Sequence, residues 1–244
     1  MALARHTTWL KRNRTPYREF PCCDMNTTAD LFDFLPDVRP CEESLAPGAL
    51  LLRGLAGGAI GARLLEGVAT VLAHAPLRQM TTPGGLQMSV SMTNCGPLGW
   101  ISDRRGYRYE ALDPLAGRPW PPLPEALREL AVDAAGRAGY PGFEPDSCLV
   151  NRYVPGTRLS LHQDRNERDF DAPIVSVSLG LPAVFLFGGL ERRDRPRRWR
   201  LEHGDVVVWG GVSRLAFHGV APLADGEHPA TGAVRINLTL RRAS

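Results

Sequence analysis

The chain has 244 residues, of which 43% are hydrophobic and 23% charged, and a formal net charge of +3. This suffices for one ordinary globular core, or at most two small ones, and excludes a largely disordered chain. No apolar run reaches the ~18 residues needed to cross a bilayer, so no membrane partner is expected, and so small a net charge does not by itself indicate nucleic acid.

Five cysteines, Cys22, Cys23, Cys41, Cys95 and Cys148, are odd in number, scattered and without a C-x-x-C pair. A disulfide framework or zinc ribbon is not expected, and the reducing cytoplasm is the natural compartment. The basic residues are arginine except for Lys11.

In chain order, residues 1–24 carry five basic and two acidic residues and lack the apolar stretch of a secretory signal. They read as a disordered extension, or as sequence ahead of a true start at Met25, with a basic presequence as the alternative. Residues 47–56, "PGALLLRGLA", suggest a short strand leaving a turn. Residues 57–76 place apolar side chains at helical spacing and stop at Pro76, which predicts a helix. "RQMTTPGGLQMSVSMTNCGPLGW" predicts a hairpin around Pro83-Gly84-Gly85. Residues 101–124, rich in Gly, Pro and aromatics, read as a loop with little regular structure. "PEALRELAVDAAGRAGY" is a second amphipathic helix, with Pro124 at its start and Gly139 at its end. From Cys148 onward the segments "CLVNRYV", "RLSLHQD", "IVSVSLGL", "AVFLFGG", "RWRLEHGDVVVWGG", "LAFHGV" and "AVRINLTLRR" are short, β-rich and punctuated by Gly, Pro and Asp. That rhythm predicts a sandwich, jelly roll or small barrel. The expected organisation is one domain over residues 25–244.

Within "SLHQD", His162 and Asp164 are two positions apart, and in an extended strand such residues project from one face. An imidazole and a carboxylate so placed suit a first-row divalent metal; a second imidazole would complete a 2-His-1-carboxylate triad with open positions, the ligand set of non-haem Fe(II) oxygenases. The candidates for that second imidazole are His203, His218 and His228. His203 precedes a Gly-Asp turn and fits an exposed turn histidine; His228 precedes Pro229 in a polar loop. His218 ends a plausible strand and precedes Gly219, where the backbone can bend tightly, and is preferred.

The last predicted strand, "RINLTLR", alternates Arg235, Asn237, Thr239 and Arg241 with Ile236, Leu238 and Leu240. A polar face on a late strand is ordinarily solvated surface. Two arginines flanking hydrogen-bonding groups also suit a dicarboxylic acid, because guanidinium pairs bidentately with carboxylate. Their Cα atoms would stand ~20 Å apart at ~3.3 Å per residue, so a shared small ligand requires the side chains to converge.

These blocks, with "NRYVPGTRLSLHQD", "LEHGDVVVWGG", "FHGV" and "GYPGFEPDSCLVNRY", resemble the bacterial AlkB family of Fe(II)- and 2-oxoglutarate-dependent nucleic-acid demethylases, from about Leu45 to Arg241. The resemblance implies a mainly β fold with flanking helices: a double-stranded β-helix (jelly-roll) core over about residues 148–242, preceded by a nucleotide-recognition lid over about residues 78–120. It implies Fe(II) held by His162, Asp164 and His218, with 2-oxoglutarate and O2 as co-substrates. The 2-oxoglutarate site would comprise Asn151, Arg152 and Tyr153 with the strand Arg235, Ile236, Asn237, Leu238, Thr239, Leu240 and Arg241. Arg235 would take the far carboxylate. Substrate contacts would fall to Met92, Trp100, Tyr107, Arg108, Tyr109, Asn166 and Arg192.

The implied activity is oxidative demethylation of 1-methyladenine and 3-methylcytosine in single-stranded or flipped-base double-stranded DNA by a cytoplasmic monomer. RNA, a nucleoside or a protein side chain is the alternative substrate of the same chemistry. Two positions depart from the family pattern. Asn166 stands where bacterial members carry an acidic residue facing the base, and Glu167 would compensate only if the loop shifted. Leu86 stands where close relatives carry an aromatic. Finally, six arginines crowd residues 192–200, "RRDRPRRWR", a run that is either a solvated loop or a phosphate contact.

Overall fold

The computed structural model describes residues 41–244, so the expected extension over residues 1–24 and the start at Met25 lie outside the described residues. Strands β1 (Glu42–Ala46) and β2 (Ala49–Leu52) form a hairpin, and helix α1 (Gly58–His74) follows. The helix buries Leu64, Val68 and Val71 along one stripe, as an amphipathic 3.6-residue period requires. Strands β3 (Arg78–Thr81) and β4 (Gln87–Cys95) make the expected hairpin.

The following segment corrects the sequence reading. Instead of a loop with little regular structure it holds two hairpins, β5 (Gly99–Asp103) with β6 (Gly106–Glu110) and the short β7 (Leu112–Asp113) with β8 (Arg118–Pro119). Local chemistry explains the first. Gly106 turns at φ +118°, a conformation that glycine adopts without steric cost. The Asp103 carboxylate accepts the Arg105 N–H at 2.7 Å, and the Arg108 guanidinium bridges Asp103 and Glu110 across the turn.

Helix α2 (Glu125–Arg137) starts after Pro124, packs on α1 and adds Leu127, Leu130, Ala131 and Ala134 to the shared core. The remaining strands are β9 (Ser147–Tyr153), β10 (Leu159–His162), β11 (Ile174–Gly180), β12 (Ala183–Phe187), β13 (Arg197–Leu201), β14 (Val206–Trp209), β15 (His218–Val220) and β16 (Arg235–Arg241). They complete two antiparallel sheets with the order β1-β2-β14-β11-β16-β9-β4-β3 in the larger and β10-β15-β12-β13 in the smaller. This is a jelly roll.

Side-chain alternation assigns the two faces of the large sheet. Ile236, Leu238 and Leu240 of β16, with Val175, Val177 and Leu179 of β11, join the core under the helices. The residues between them point toward the small sheet, where Tyr153, Ile174, Trp209 and Phe185 form a second core. Because helices cover one face and a sheet the other, every residue of β11 and β16 is buried. The polar face of β16 is therefore interior, not the solvated surface that such a pattern ordinarily marks.

Candidate metal centre and adjoining cleft

In the small sheet, β10 and β15 run antiparallel with His162 directly opposite His218. Directly paired residues share a face, and the two rings stand 4.4 Å apart at 53°. Gly219, expected as a bend, is instead a strand residue. A Cβ there would lie 2.6 Å from the Leu159 carbonyl oxygen, so glycine is what lets β10 come close enough for the two histidines to meet. Asp164 lies two residues beyond the end of β10, so its convergence with His162 comes from the chain leaving the strand rather than from strand alternation.

The Nδ1 atoms of both histidines meet backbone carbonyls, His162 at Ser160 (2.9 Å) and His218 at Ala216 (3.0 Å). A hydrogen bond of this kind fixes the tautomer with Nε2 bare. Both Nε2 atoms face the Asp164 carboxylate, at 3.7 Å from His162 and 3.8 Å from His218. Ligand atoms of the three residues lie within 4.8 Å of one another, the set among the described residues able to hold a metal ion. Burial, reinforced by the charge of His162, lowers the His218 pKa to about 3 despite the opposing pull of Asp164. Its imidazole is therefore neutral and ready to ligate at any working pH. Burial works against the charge of Asp164, but Arg241, His218 and His162 outweigh it and hold the carboxyl well below the usual range. Two imidazoles, that of His218 held neutral, and one ionised carboxylate suit a ferrous ion. The rival histidines serve elsewhere: His203 accepts the Gly180 N–H at 3.0 Å and stacks on His228 at 4.5 Å.

The triad sits in a cleft of about 930 Å³ between the sheets. Arg235, Asn237, Thr239 and Arg241 line its floor with Asn151 and Tyr153. Arg241 donates twice to Asp164 Oδ2, at 2.9 and 2.6 Å. Burial opposes its charge, yet Asp164, Tyr109 and Glu167 raise its pKa above that of ordinary arginine. Arg235 is 1% exposed and meets a serine hydroxyl (Ser178, 2.9 Å) and the Tyr153 ring (5.0 Å) rather than a carboxylate, and burial lowers its pKa. Its Nε and Nη1, the Tyr153 hydroxyl, Asn151 Oδ1 and Arg241 Nη1 have no hydrogen-bond partner among the described residues. Buried polar groups left so cost ~1–3 kcal/mol each, and all of these but the Asn151 oxygen are donors. A floor that concentrates them beside a metal-ligand set fits a small oxo-acid with a carboxylate at each end.

Toward the mouth, Trp100 stacks on Tyr107 with ring centroids 5.6 Å apart and 13° between planes. The Trp100 Nε1–H donates to Asn166 Oδ1 at 3.3 Å. Met92 and Arg192 also line the cleft; Arg192 is held by the Leu161 carbonyl at 2.9 Å and the Phe217 ring. Leu86 is exposed at the rim.

Six of the expected residues are not brought to the cleft. Ile236, Leu238 and Leu240 face the helical core. Arg152, between Asn151 and Tyr153, turns to the other face of β9, and Arg108 spends its guanidinium on Asp103 and Glu110. Tyr109 lies behind the wall, its hydroxyl donating to Glu167 Oε1 at 2.6 Å.

The buried pairing of Glu167 with Arg214 was not anticipated. Glu167 points inward, with Arg214 at 3.2 Å and Arg241 at 3.5 Å, so it does not stand in for an acid at position 166. Arg214 also donates to the Asp164 and Ala172 carbonyls, each at 2.9 Å. The one sequence signal for this network was an acid adjoining the "HQD" motif.

A jelly roll carrying two histidines and a carboxylate on one side of a cleft, with buried arginines at its floor, defines a non-haem iron oxygenase that uses a 2-oxo acid. Residues 50–241 match the model of the 2OG-Fe(II) oxygenase superfamily. The chain is 56% identical over 214 residues to the alpha-ketoglutarate-dependent dioxygenase AlkB of Salmonella typhimurium, covering 88% of this chain and 99% of that one. Identity to the Escherichia coli protein of the same name is 54% over 213 residues, covering 87% and 98%. A solved structure titled OsALKBH1 superimposes with a TM-score of 0.73 at 28% identity, over 82% of this chain and 99% of that one. The chain belongs to the AlkB family of Fe(II)- and 2-oxoglutarate-dependent dioxygenases. Its cofactor is Fe(II), and its co-substrates are 2-oxoglutarate and O2.

Proposed function

We propose that this chain removes N-methyl groups from bases of nucleic acid, 1-methyladenine and 3-methylcytosine in DNA among them, as a monomeric direct-reversal repair enzyme of the cytoplasm. The observation that carries this reading is the meeting of His162, Asp164 and His218 at the inner end of a cleft whose outer wall is the Trp100–Tyr107 stack. In it His162, Asp164 and His218 hold the ferrous ion, Arg235 takes the far carboxylate of 2-oxoglutarate, and Asn151, Tyr153, Asn237 and Arg241 orient the rest. Iron and co-substrate, when bound, supply the oxidation that releases formaldehyde, succinate and CO2.

The chain's own part is to present the methyl group and exclude water. A base inside a duplex cannot reach a buried ion, so the substrate is single-stranded or its base is extruded. Stacking on an aromatic wall returns ~1–3 kcal/mol of that cost, and a methyl at a pairing nitrogen has already broken the pair. The hairpins over residues 78–120 act as the lid. The mouse relative titled nucleic acid dioxygenase and the fission-yeast relative titled tRNA demethylase support nucleic acid as the substrate class. No described helix is long and apolar enough to cross a membrane, and Cys95 and Cys148, opposite each other on β4 and β9, are buried thiols, as a reducing compartment favours.

The test supplies Fe(II), ascorbate and 2-oxoglutarate with a single-stranded oligonucleotide carrying one methylated base. Release of formaldehyde and reversion of the base are expected, both lost in His218→Ala. Full turnover by that variant, or silence on DNA with turnover on RNA or nucleosides, rejects the ligand set or the DNA assignment respectively.

A further inference from the structure

We infer that Asn166 tunes the cleft toward uncharged methylated bases that carry a carbonyl beside the N-methyl group, at the expense of cationic ones that carry an amino group there. The inference rests on the function proposed above and specifies which lesions that site prefers.

The first observation is the orientation of the amide. Asn166 is exposed and lines the cleft two residues after Asp164. Its Oδ1 accepts the Trp100 indole N–H at 3.3 Å. An indole nitrogen only donates, so this bond settles which end of the amide faces the tryptophan. The oxygen is engaged, and the NH2 group, which donates to no described residue, is the end of this cleft-lining amide left available to a ligand. A base seated beside Trp100 therefore meets a donor. Donors pair with carbonyl oxygens; against an exocyclic amino group two donors face each other, and one goes unpaired on desolvation.

The second observation is the charge of the lining. Asp164 is the single carboxylate among the described residues that border the cleft, and Arg241 and the two histidines already surround it. Glu167, the next acid along the chain, is 5% exposed and committed to Tyr109, Arg214 and Arg241. Arg158, Arg165 and Arg192 add positive charge to the rim. 1-Methyladenine and 3-methylcytosine carry a positive charge at neutral pH. 1-Methylguanine, 3-methylthymine and 3-methyluracil are neutral and place a carbonyl next to the methylated nitrogen. Neither carboxylate is free to neutralise the first group, and the arginines repel it. The second group pays no such penalty and gains the amide donor.

3-Methyluracil and 3-methylcytosine isolate the effect, since they differ only in the oxygen or amino group at C4 and the charge that goes with it. The substitution is Asn166→Asp, isosteric and able to keep the Trp100 bond, but presenting an ionised acceptor to the cleft. Both bases are placed in the same single strand, and kcat/KM for each is measured with the loaded enzyme.

The ratio of 3-methyluracil to 3-methylcytosine turnover is expected to fall about tenfold or more in Asn166→Asp, the size of one well-made polar base contact. A change below about threefold overturns the inference, because one such contact is worth more than that. A second readout does not depend on turnover: binding of the two oligonucleotides by fluorescence anisotropy, anaerobically with iron and 2-oxoglutarate present, should show the same inversion. If no methylated base is turned over, the function proposed above fails while the binding ratio still decides the role of Asn166. If both bases are turned over and neither ratio moves, the inference alone fails.

Discussion

Glu167→Gln tests whether the buried charge cluster behind the cleft holds the structure together. The Glu167 side chain is 1% exposed and that of Arg214 3%, and the carboxylate serves Arg214, Arg241 and the Tyr109 hydroxyl at once. Glutamine keeps an oxygen for Tyr109, and Arg241 keeps Asp164 at 2.6 Å, so the loss falls on Arg214. Removing one partner of a buried pair costs about 3–5 kcal/mol, because the remaining charge is left without compensation. Arg214 retains its two backbone carbonyls, which places the expected loss near the lower end, at about 3 kcal/mol. For a domain of this size each kcal/mol is worth ~2–4 °C, so the melting temperature should fall by ~6–12 °C. The measurement is urea unfolding of chelator-treated protein, with the thermal midpoint as a check. Adding Arg214→Met to Glu167→Gln should recover part of the loss, with a coupling of at least ~2 kcal/mol in the double-mutant cycle. A loss below about 1 kcal/mol, or strict additivity, would refute the view that these charges depend on one another.

Two further outcomes follow from the same structure. The folded pKa of His218, about 3, lies below its unfolded value of ~6.5. The unfolded chain therefore takes up the proton first, and stability present above pH ~6.5 is lost as pH falls toward the folded value, about 2 kcal/mol of it by pH ~5. Metal-free protein should show this slope in its denaturation midpoint and His218→Gln should flatten it; an unchanged slope would mean the imidazole is not held neutral. Arg195 and Arg198, exposed before and on the edge strand β13, should contact phosphate: Arg195→Gln/Arg198→Gln should weaken oligonucleotide binding and reduce the log–log salt slope by about 1.4, ~0.7 per contact on a single strand. An unaltered slope would mark the arginine run as solvated surface.

Strands and the His162–Asp164 pair could be read from the sequence because their cause is local, whereas His218 reaches them only through the pairing of β15 with β10. Alternation in "RINLTLR" and "IVSVSLG" reports two faces of different polarity, both of them buried, and a histidine followed two residues later by aspartate reports a shared side of the chain. The pairing of His162 with Asp164 was read correctly for an incorrect reason, since the strand ends at His162 and the chain's exit from it delivers Asp164. The β5–β6 hairpin was hidden because its turn is made by glycine and an ion-paired loop rather than by a run of β-branched residues. Glu167 could not be read as a buried residue. In "DRNERD" it resembles a solvated acid, and its burial depends on Tyr109, Arg214 and Arg241, which lie in three other segments and meet only when both sheets are folded.

The two arginines of β16 share a face of one strand yet differ in their electrostatics, and that difference assigns their work. Arg241 is matched by Asp164 and Glu167; a carboxylate arriving beside it competes with charges already present. Arg235 is buried with no acid among the described residues beside it, its pKa is lowered by that burial, and two of its nitrogens have no partner among them. A guanidinium so placed is costly until an anion pairs with it. Arg235→Met should therefore raise KM for 2-oxoglutarate strongly, by roughly a hundredfold if one buried charge-assisted pair of about 3 kcal/mol is lost. Anaerobic metal affinity measured without co-substrate should stay unchanged. Arg241→Met removes the clamp on a metal ligand and should weaken metal binding itself before any co-substrate is added. If Arg235→Met impaired metal binding and Arg241→Met did not, the assignment of the two guanidiniums would be reversed.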